Sequence, residues 1–261
     1  MITLGFDTAT HATVVGLRLA DGSAAQECDD PAPEERPGHA TRLLAMADEL
    51  LTQAGISWPE LDRIAVGVGP GRFTGLRVGI ATARGLAQAL GLGLAGVPTL
   101  RVLAEAALRS AGAGEGVLAV IDARRGEAFA AAYVPDGASE SAGADGPREV
   151  ACDRPLAPAE LAEFVARAEG VGRGSARWLA VGDGAQRFRE QLEAIGARVP
   201  PDSSPLHLPD GAVICDLGSR LSPARRLEDV APDYRRRPDA EREPSQGGDR
   251  GREVSIEGAP A

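Results

Sequence analysis

Apolar and polar positions follow two rhythms along this chain, and their order predicts a mixed α/β fold. Ile2 to Phe6 is a short apolar run that ends at Asp7-Thr8-Ala9-Thr10 and reads as a first strand. Thr13 to Leu19 reads as a second strand, with Asp21-Gly22-Ser23 as a hairpin turn into a third near Ala24 to Cys28. A proline-rich loop runs from Asp30 to Gly38. From His39 the rhythm changes: Leu43, Leu44, Met46, Ala47, Leu50, Leu51 and Ala54 fall at helical spacing, and Gly55 closes the helix.

The next stretch organises the rest. Ile64 to Val68 is a continuous apolar, β-branched run, as a buried strand would be. Gly69-Pro70-Gly71 stops it, and Thr74 is placed to cap a following helix with its hydroxyl. That helix runs to Leu90, with Gly75, Gly79, Ala83 and Ala87 on one face and Leu76, Ile80 and Leu86 beside them. Glycine inside a helix costs ~0.5–1 kcal/mol relative to alanine, so two on one face suggest a close-packed neighbour. A glycine turn before a helix can cradle phosphate, because helix N-termini expose N–H groups. The specific forms fail here: no Gly-Lys-Ser/Thr follows, and Arg72 breaks the G-x-G-x-x-G spacing.

Downstream, Gly96-Val97-Pro98-Thr99 leads into a helix from Leu100 to about Arg109, with Thr99 as a candidate cap. Ser110 to Gly116 is small and glycine-rich and reads as a linker between domains. Val117 to Ile121 is a second buried strand, ending at Asp122-Ala-Arg-Arg-Gly126, and Glu127 to Val134 is its antiparallel partner. Pro135 to Gly146 reads as a polar hairpin tip, Pro158 to Glu169 as a helix and Trp178 to Val181 as a strand. Gly182-Asp183-Gly184 breaks the chain before a helix from Ala185 to about Ile195, and Ala212 to Arg220 is the last helix. Both halves repeat one order: strand, acidic turn, hairpin partner, helix, strand. Asp7-Thr8 and Asp122-Ala123 hold corresponding places, which predicts a duplicated two-domain fold with a cleft between residues 1–110 and 111–238. Residues 239–261 are rich in Glu, Arg, Pro and Gly and are expected to be a disordered tail.

Composition narrows the chemistry. Aromatic content is 3%, so the core of this 261-residue chain must come from Ala, Val, Leu and Ile. All 28 basic residues are arginine, which excludes lysine Schiff bases and a P-loop lysine. A net charge of −10 argues against unaided nucleic-acid binding, and Arg235-Arg236-Arg237 reads as a solvated segment. Cys28, Cys152 and Cys215 are widely spaced, as in a reducing compartment, and no signal peptide or transmembrane run is evident; the expected location is the cytoplasm. His11, His39 and His207 have no ligand-spaced neighbours, so no metal site is expected, and His39 reads as a capping or surface residue. Gly172-Arg-Gly-Ser-Ala176 misses the nucleophile-elbow pattern.

Three acidic turns could instead face a nucleotide: Asp7, Thr8 and Thr10 after the first strand, Asp122 after another, and Gly182-Asp183 before a helix. Together they resemble the phosphate and adenosine motifs of the actin, sugar-kinase and Hsp70 superfamily, except that Ala9 stands where that superfamily has glycine. Gly69-Pro-Gly-Arg-Phe-Thr-Gly-Leu-Arg-Val-Gly79, Arg36-x-x-His39 and Pro232-x-Tyr234-x-Arg closely resemble the TsaB (YeaZ) family over roughly residues 1–240. Arg72 departs from it, where many relatives carry a small residue.

The resemblance implies a non-catalytic subunit. It would pair with a TsaD-like catalytic subunit and a TsaE-like ATPase to place threonylcarbamoyl on adenosine 37 of tRNAs that read codons starting with A. ATP and threonylcarbamoyl-adenylate would be used by the complex, no cofactor by this chain alone, and tRNA would be met only through the complex. A homodimer of the lone chain stays open. The catalytic relative carries His-x-x-x-His where this chain has Thr99 and Leu103. Pairing in the family runs through the first domain's helices, which makes Leu43, Met46, Ala47 and Leu50 of one helix and Leu76, Gly79, Ile80, Ala83 and Ala87 of the next the expected interface. An ATP-dependent kinase or glycoprotease-like enzyme of the same superfamily is the alternative.

Overall fold

The computed structural model describes residues 1–32, 34–112, 114–135, 147–152, 155–171 and 177–235. The expected tail 239–261, most of the polar tip after Pro135, Arg236 and Arg237, and the 172–176 segment lie outside the described residues.

Two sheets carry the fold. The first comprises β1 (Thr3–Asp7), β2 (Thr13–Arg18), β3 (Ala24–Asp29), β4 (Arg63–Gly69) and β5 (Gly93–Pro98), in the order β3-β2-β1-β4-β5. β1 to β3 form an antiparallel meander, and β4 and β5 join in parallel, with Phe6 opposite Val66. The second comprises β6 (Glu115–Arg124), β7 (Glu127–Val134), β8 (Arg148–Cys152) and β9 (Arg177–Val181), in the order β8-β7-β6-β9. It repeats the meander and the parallel neighbour of the first sheet. The second sheet thus repeats the plan of the first, the duplicated arrangement expected from the sequence. β5 was not legible because two glycines and a proline dilute its apolar run.

Helices cover each face that the strands leave apolar. α1 (His39–Ala54) and α2 (Phe73–Leu90) lie on one face of the first sheet, over Leu4, Phe6, Val15 and Val66. On the second sheet, α3 (Thr99–Leu108) covers one face, over Val117, Ile121 and Val181. The other face is covered by α4 (Leu161–Val171), α5 (Asp183–Arg187) and α6 (Arg189–Ala194).

α7 (Gly211–Arg220) corrects the expected division of the chain. It packs on the first sheet, where Val213, Ile214 and Leu217 meet Ala12, Val14 and Ala65. Gly16 permits the approach, since a Cβ there would stand 2.2 Å from the Gly211 carbonyl oxygen. Val230 also joins the core beneath α1 and α2. The first half is therefore built from both ends of the described chain.

Three local expectations also change. Arg72, not Thr74, holds the position before α2, and no side chain caps it. Thr99 is the first residue of α3 and its hydroxyl turns inward. The helix expected from Ala185 to Ile195 breaks at Phe188, whose ring is buried while Arg189 bonds the Val199 and Pro200 carbonyls.

Candidate functional site

The first acidic turn is packed against the small face of α2. Asp7, Thr8 and Ala9 have no exposed surface and Thr10 has 2%. Thr8 Oγ1 donates to the Gly75 carbonyl at 2.8 Å, and the Arg72 N–H donates to the Ala9 carbonyl at 2.7 Å. Thr99 Oγ1 donates to Asp7 Oδ2 at 2.7 Å and accepts from the Gly69 N–H at 3.2 Å. Burial raises the Asp7 pKa, and the bonds from Thr99 and from the Ala9 N–H oppose that rise. A Cβ at Gly75 would stand 1.9 Å from the Thr8 carbonyl oxygen, and one at Gly79 2.4 Å from Thr8 Oγ1. The glycines thus admit the turn, not a second protein.

This geometry corrects two expectations. Asp7 and Thr8 are enclosed by the chain's own backbone, so neither side chain reaches a nucleotide. The nine expected partner residues are core: Leu43, Met46, Ala47, Leu50, Leu76, Ile80, Ala83 and Ala87 are at most 3% exposed, and Gly79 is buried against Thr8. Their helical stripe faces the sheet because that is where their apolar surface leaves water. The opposite faces are the free ones. Leu44 is 47% exposed on α1, and Ala81, Gly85 and Ala89 recur every four residues along the outside of α2.

His39 is also interior. It is 6% exposed, its Nδ1 lies 2.9 Å from Thr13 Oγ1, and Gly38 holds the cap position. Burial lowers its pKa. Signals for this were weak, because a histidine at a helix start is more often solvated.

A cleft of about 680 Å³ opens between the halves. Thr10, His11 and Asp30 line one wall; Asp122, Arg124, Asp183 and Arg187 line the other. Of the six expected nucleotide contacts, three meet here: Thr10, Asp122 and Asp183. Gly182 is buried behind them, its carbonyl 3.1 Å from His207 Nδ1. Asp122 sits between two guanidinium groups, Arg187 at 2.9 Å and Arg124 at 3.7 Å. The turn after β6 places Arg124 there with φ 62°, a left-handed conformation that is strained for a side chain this large. Asp183 accepts from the Asp122 N–H at 3.0 Å. Burial, with help from the Asp122 charge, pushes its carboxyl up to about 6. Arg124, Arg187 and His11 are among the cleft groups that carry no local signal in the sequence, since only the fold brings them beside the aspartates. Arg124 and Arg187 both pair with Asp122 on the same wall, so much of the positive charge there is already met within the chain.

Thr99 and Leu103, where the catalytic relative carries histidines, are both fully buried. Thr99 is committed to Asp7, and Leu103 packs in the core under the second sheet.

A family model described as TsaD, tRNA N6-adenosine threonylcarbamoyltransferase, matches residues 33–191. The tRNA threonylcarbamoyladenosine biosynthesis protein TsaB of Escherichia coli (strain K12) is 43% identical over 136 residues, covering 52% of this chain and 56% of that protein. The protein of the same name from Haemophilus influenzae is 42% identical over 91 residues, covering 35% of this chain and 38% of that protein. The chain thus spans about half the length, or less, of the curated relatives it matches. The solved structure of YeaZ from Pseudomonas aeruginosa superposes with a TM-score of 0.71 at 29% identity, covering 89% of this chain and 99% of that one.

Proposed function

The chain carries a TsaD-type domain and belongs to the TsaB (YeaZ) family of the actin-like superfamily, and from that premise we propose that it is a non-catalytic scaffold in tRNA threonylcarbamoyladenosine synthesis. In this reading it pairs with a TsaD-like catalytic subunit, a TsaE-like ATPase docks on the pair, and the complex modifies adenosine 37.

One observation carries the reading: the positions that resemble the catalyst's histidines hold Thr99 and Leu103, both locked into packing. Neither offers an imidazole. The closed first turn agrees, because Thr8 is bonded to the chain's own helix and has no exposed surface.

Pairing falls to the outward faces of α1 and α2. Leu44 supplies apolar bulk, and the small residues Ala81, Gly85 and Ala89 let a partner helix approach closely. Substitutions on the inward stripe would report on folding instead.

The test is reconstitution. TsaD-like and TsaE-like subunits, tRNA, ATP and threonylcarbamoyl precursors are combined with and without this chain, and threonylcarbamoyladenosine is measured by mass spectrometry of digested tRNA. The modification should require the chain, and the chain alone should turn over no ATP. Modification at an equal rate without it would end the scaffold reading.

A further inference from the structure

Phe73 and Tyr234 are the exposed aromatic side chains among the described residues, at 48% and 44%, and they stack on each other. Their ring centroids are 5.3 Å apart with the planes inclined by 31°. Arg77, one turn along α2 from Phe73, lays its guanidinium 3.8 Å from the Phe73 centroid and donates from Nε to the Tyr234 hydroxyl at 2.9 Å. The backbone beneath is fixed, since the Asp233 N–H donates to the Val68 carbonyl at 2.8 Å. In a chain with 3% aromatic content, two rings left in water side by side need a physical reason.

We infer that Phe73, Arg77 and Tyr234 form a stacking platform for an unpaired base of single-stranded RNA. The ring surface that Arg77 leaves exposed can receive a splayed base, and the guanidinium stacked on Phe73 adds positive charge toward the phosphates. Arg77 is pre-oriented by Phe73 and Tyr234, so little side-chain freedom is lost on binding. The choice of RNA over other planar ligands rests on the proposed role in tRNA modification. The platform itself rests on the geometry.

The experiment is fluorescence anisotropy of a labelled single-stranded oligoribonucleotide and of a tRNA anticodon stem-loop with the full chain, at about 50 mM salt, where phosphate contacts are strongest. Phe73→Leu and Tyr234→Leu keep apolar bulk but lose the ring, and each should weaken binding about tenfold, within the range that alanine substitution gives for one stacked base. Tyr234→Phe keeps the ring but frees Arg77 Nε, and should weaken binding less than either Leu variant. Circular dichroism melts confirm that each variant is folded. No anisotropy change with the parent chain, or equal affinity for the Leu variants, overturns the platform. If the Leu variants bind RNA like the parent but no longer co-purify with the catalytic subunit, the patch is a protein contact: the RNA inference fails and the scaffold reading stands.

Discussion

Replacing Gly75 by alanine puts a methyl carbon 1.9 Å from the Thr8 carbonyl oxygen. Ordinary contact needs well over an ångström more, so either α2 or the first turn must move. Neither is free. The turn is held by Thr8 Oγ1 to the Gly75 carbonyl, by the Arg72 N–H to the Ala9 carbonyl, and by Thr99 to Asp7. Overpacking of this kind costs about 1–3 kcal/mol. Losing the Thr8 bond adds about 1 kcal/mol. Against this, alanine gains about 0.5–1 kcal/mol of helix propensity. The net expectation is a loss of about 2 kcal/mol. Gly85→Ala is the control in the same helix: no atom lies within 4 Å of its Cβ position, so only the propensity gain of about 0.5–1 kcal/mol remains. Urea unfolding followed by tryptophan fluorescence measures both variants against the parent. Gly75→Ala as stable as the parent, or a destabilising Gly85→Ala, would refute the claim that the small face of α2 is fitted to the turn.

Further outcomes follow from the same structure. Asp183→Asn should stabilise the fold at neutral pH: a carboxyl held near 6 against an ordinary 3.8 favours its protonated form, so the charged form weakens the fold by up to about 3 kcal/mol. Partial exposure to the cleft reduces this to about 1–2 kcal/mol. Because the folded value is the higher one, the penalty is absent below about pH 4, grows as pH rises toward 6, and is complete above it. The variant's advantage should therefore appear at pH 7.5 and vanish at pH 4 in thermal melts, and an advantage independent of pH would contradict the assignment. Thr99→Val leaves Asp7 buried without its hydroxyl donor and the Gly69 N–H without an acceptor, and should cost about 1–3 kcal/mol in urea titration. Thr99→Ser should restore most of that loss.

The sequence revealed the fold more fully than the site. β7 matches its expected span, α1 ends at the expected left-handed Gly55, and α7 starts within a residue of its reading, because each has clean periodicity and a clear stop. The duplication was visible because two apolar runs end in acidic turns. What the pattern could not say is which object a small or apolar stripe meets. Gly75 and Gly79 signalled close approach correctly, yet their neighbour is the Thr8 turn, 67 residues away in the chain for the Thr8–Gly75 bond. The return of α7 to the first sheet also depends on contacts such as Gly16 with Gly211, which no local window contains. In the cleft, the aspartates stood out as strand-ending turns, whereas Arg187 becomes a cleft residue only by pairing with Asp122 across the fold.

Among the described residues no helix is long and apolar enough to cross a membrane, and the faces of α1 and α2 that point away from the core are the surfaces on which the account depends. Co-expression of this chain with the TsaD-like subunit of the same cell, followed by affinity capture and size-exclusion chromatography, tests that dependence directly. One stable complex is expected with the parent chain, and its loss is expected in folded Leu44→Arg or Gly85→Arg. A chain that never co-elutes with the catalytic subunit, or one that pairs equally well with arginine at both positions, would contradict it.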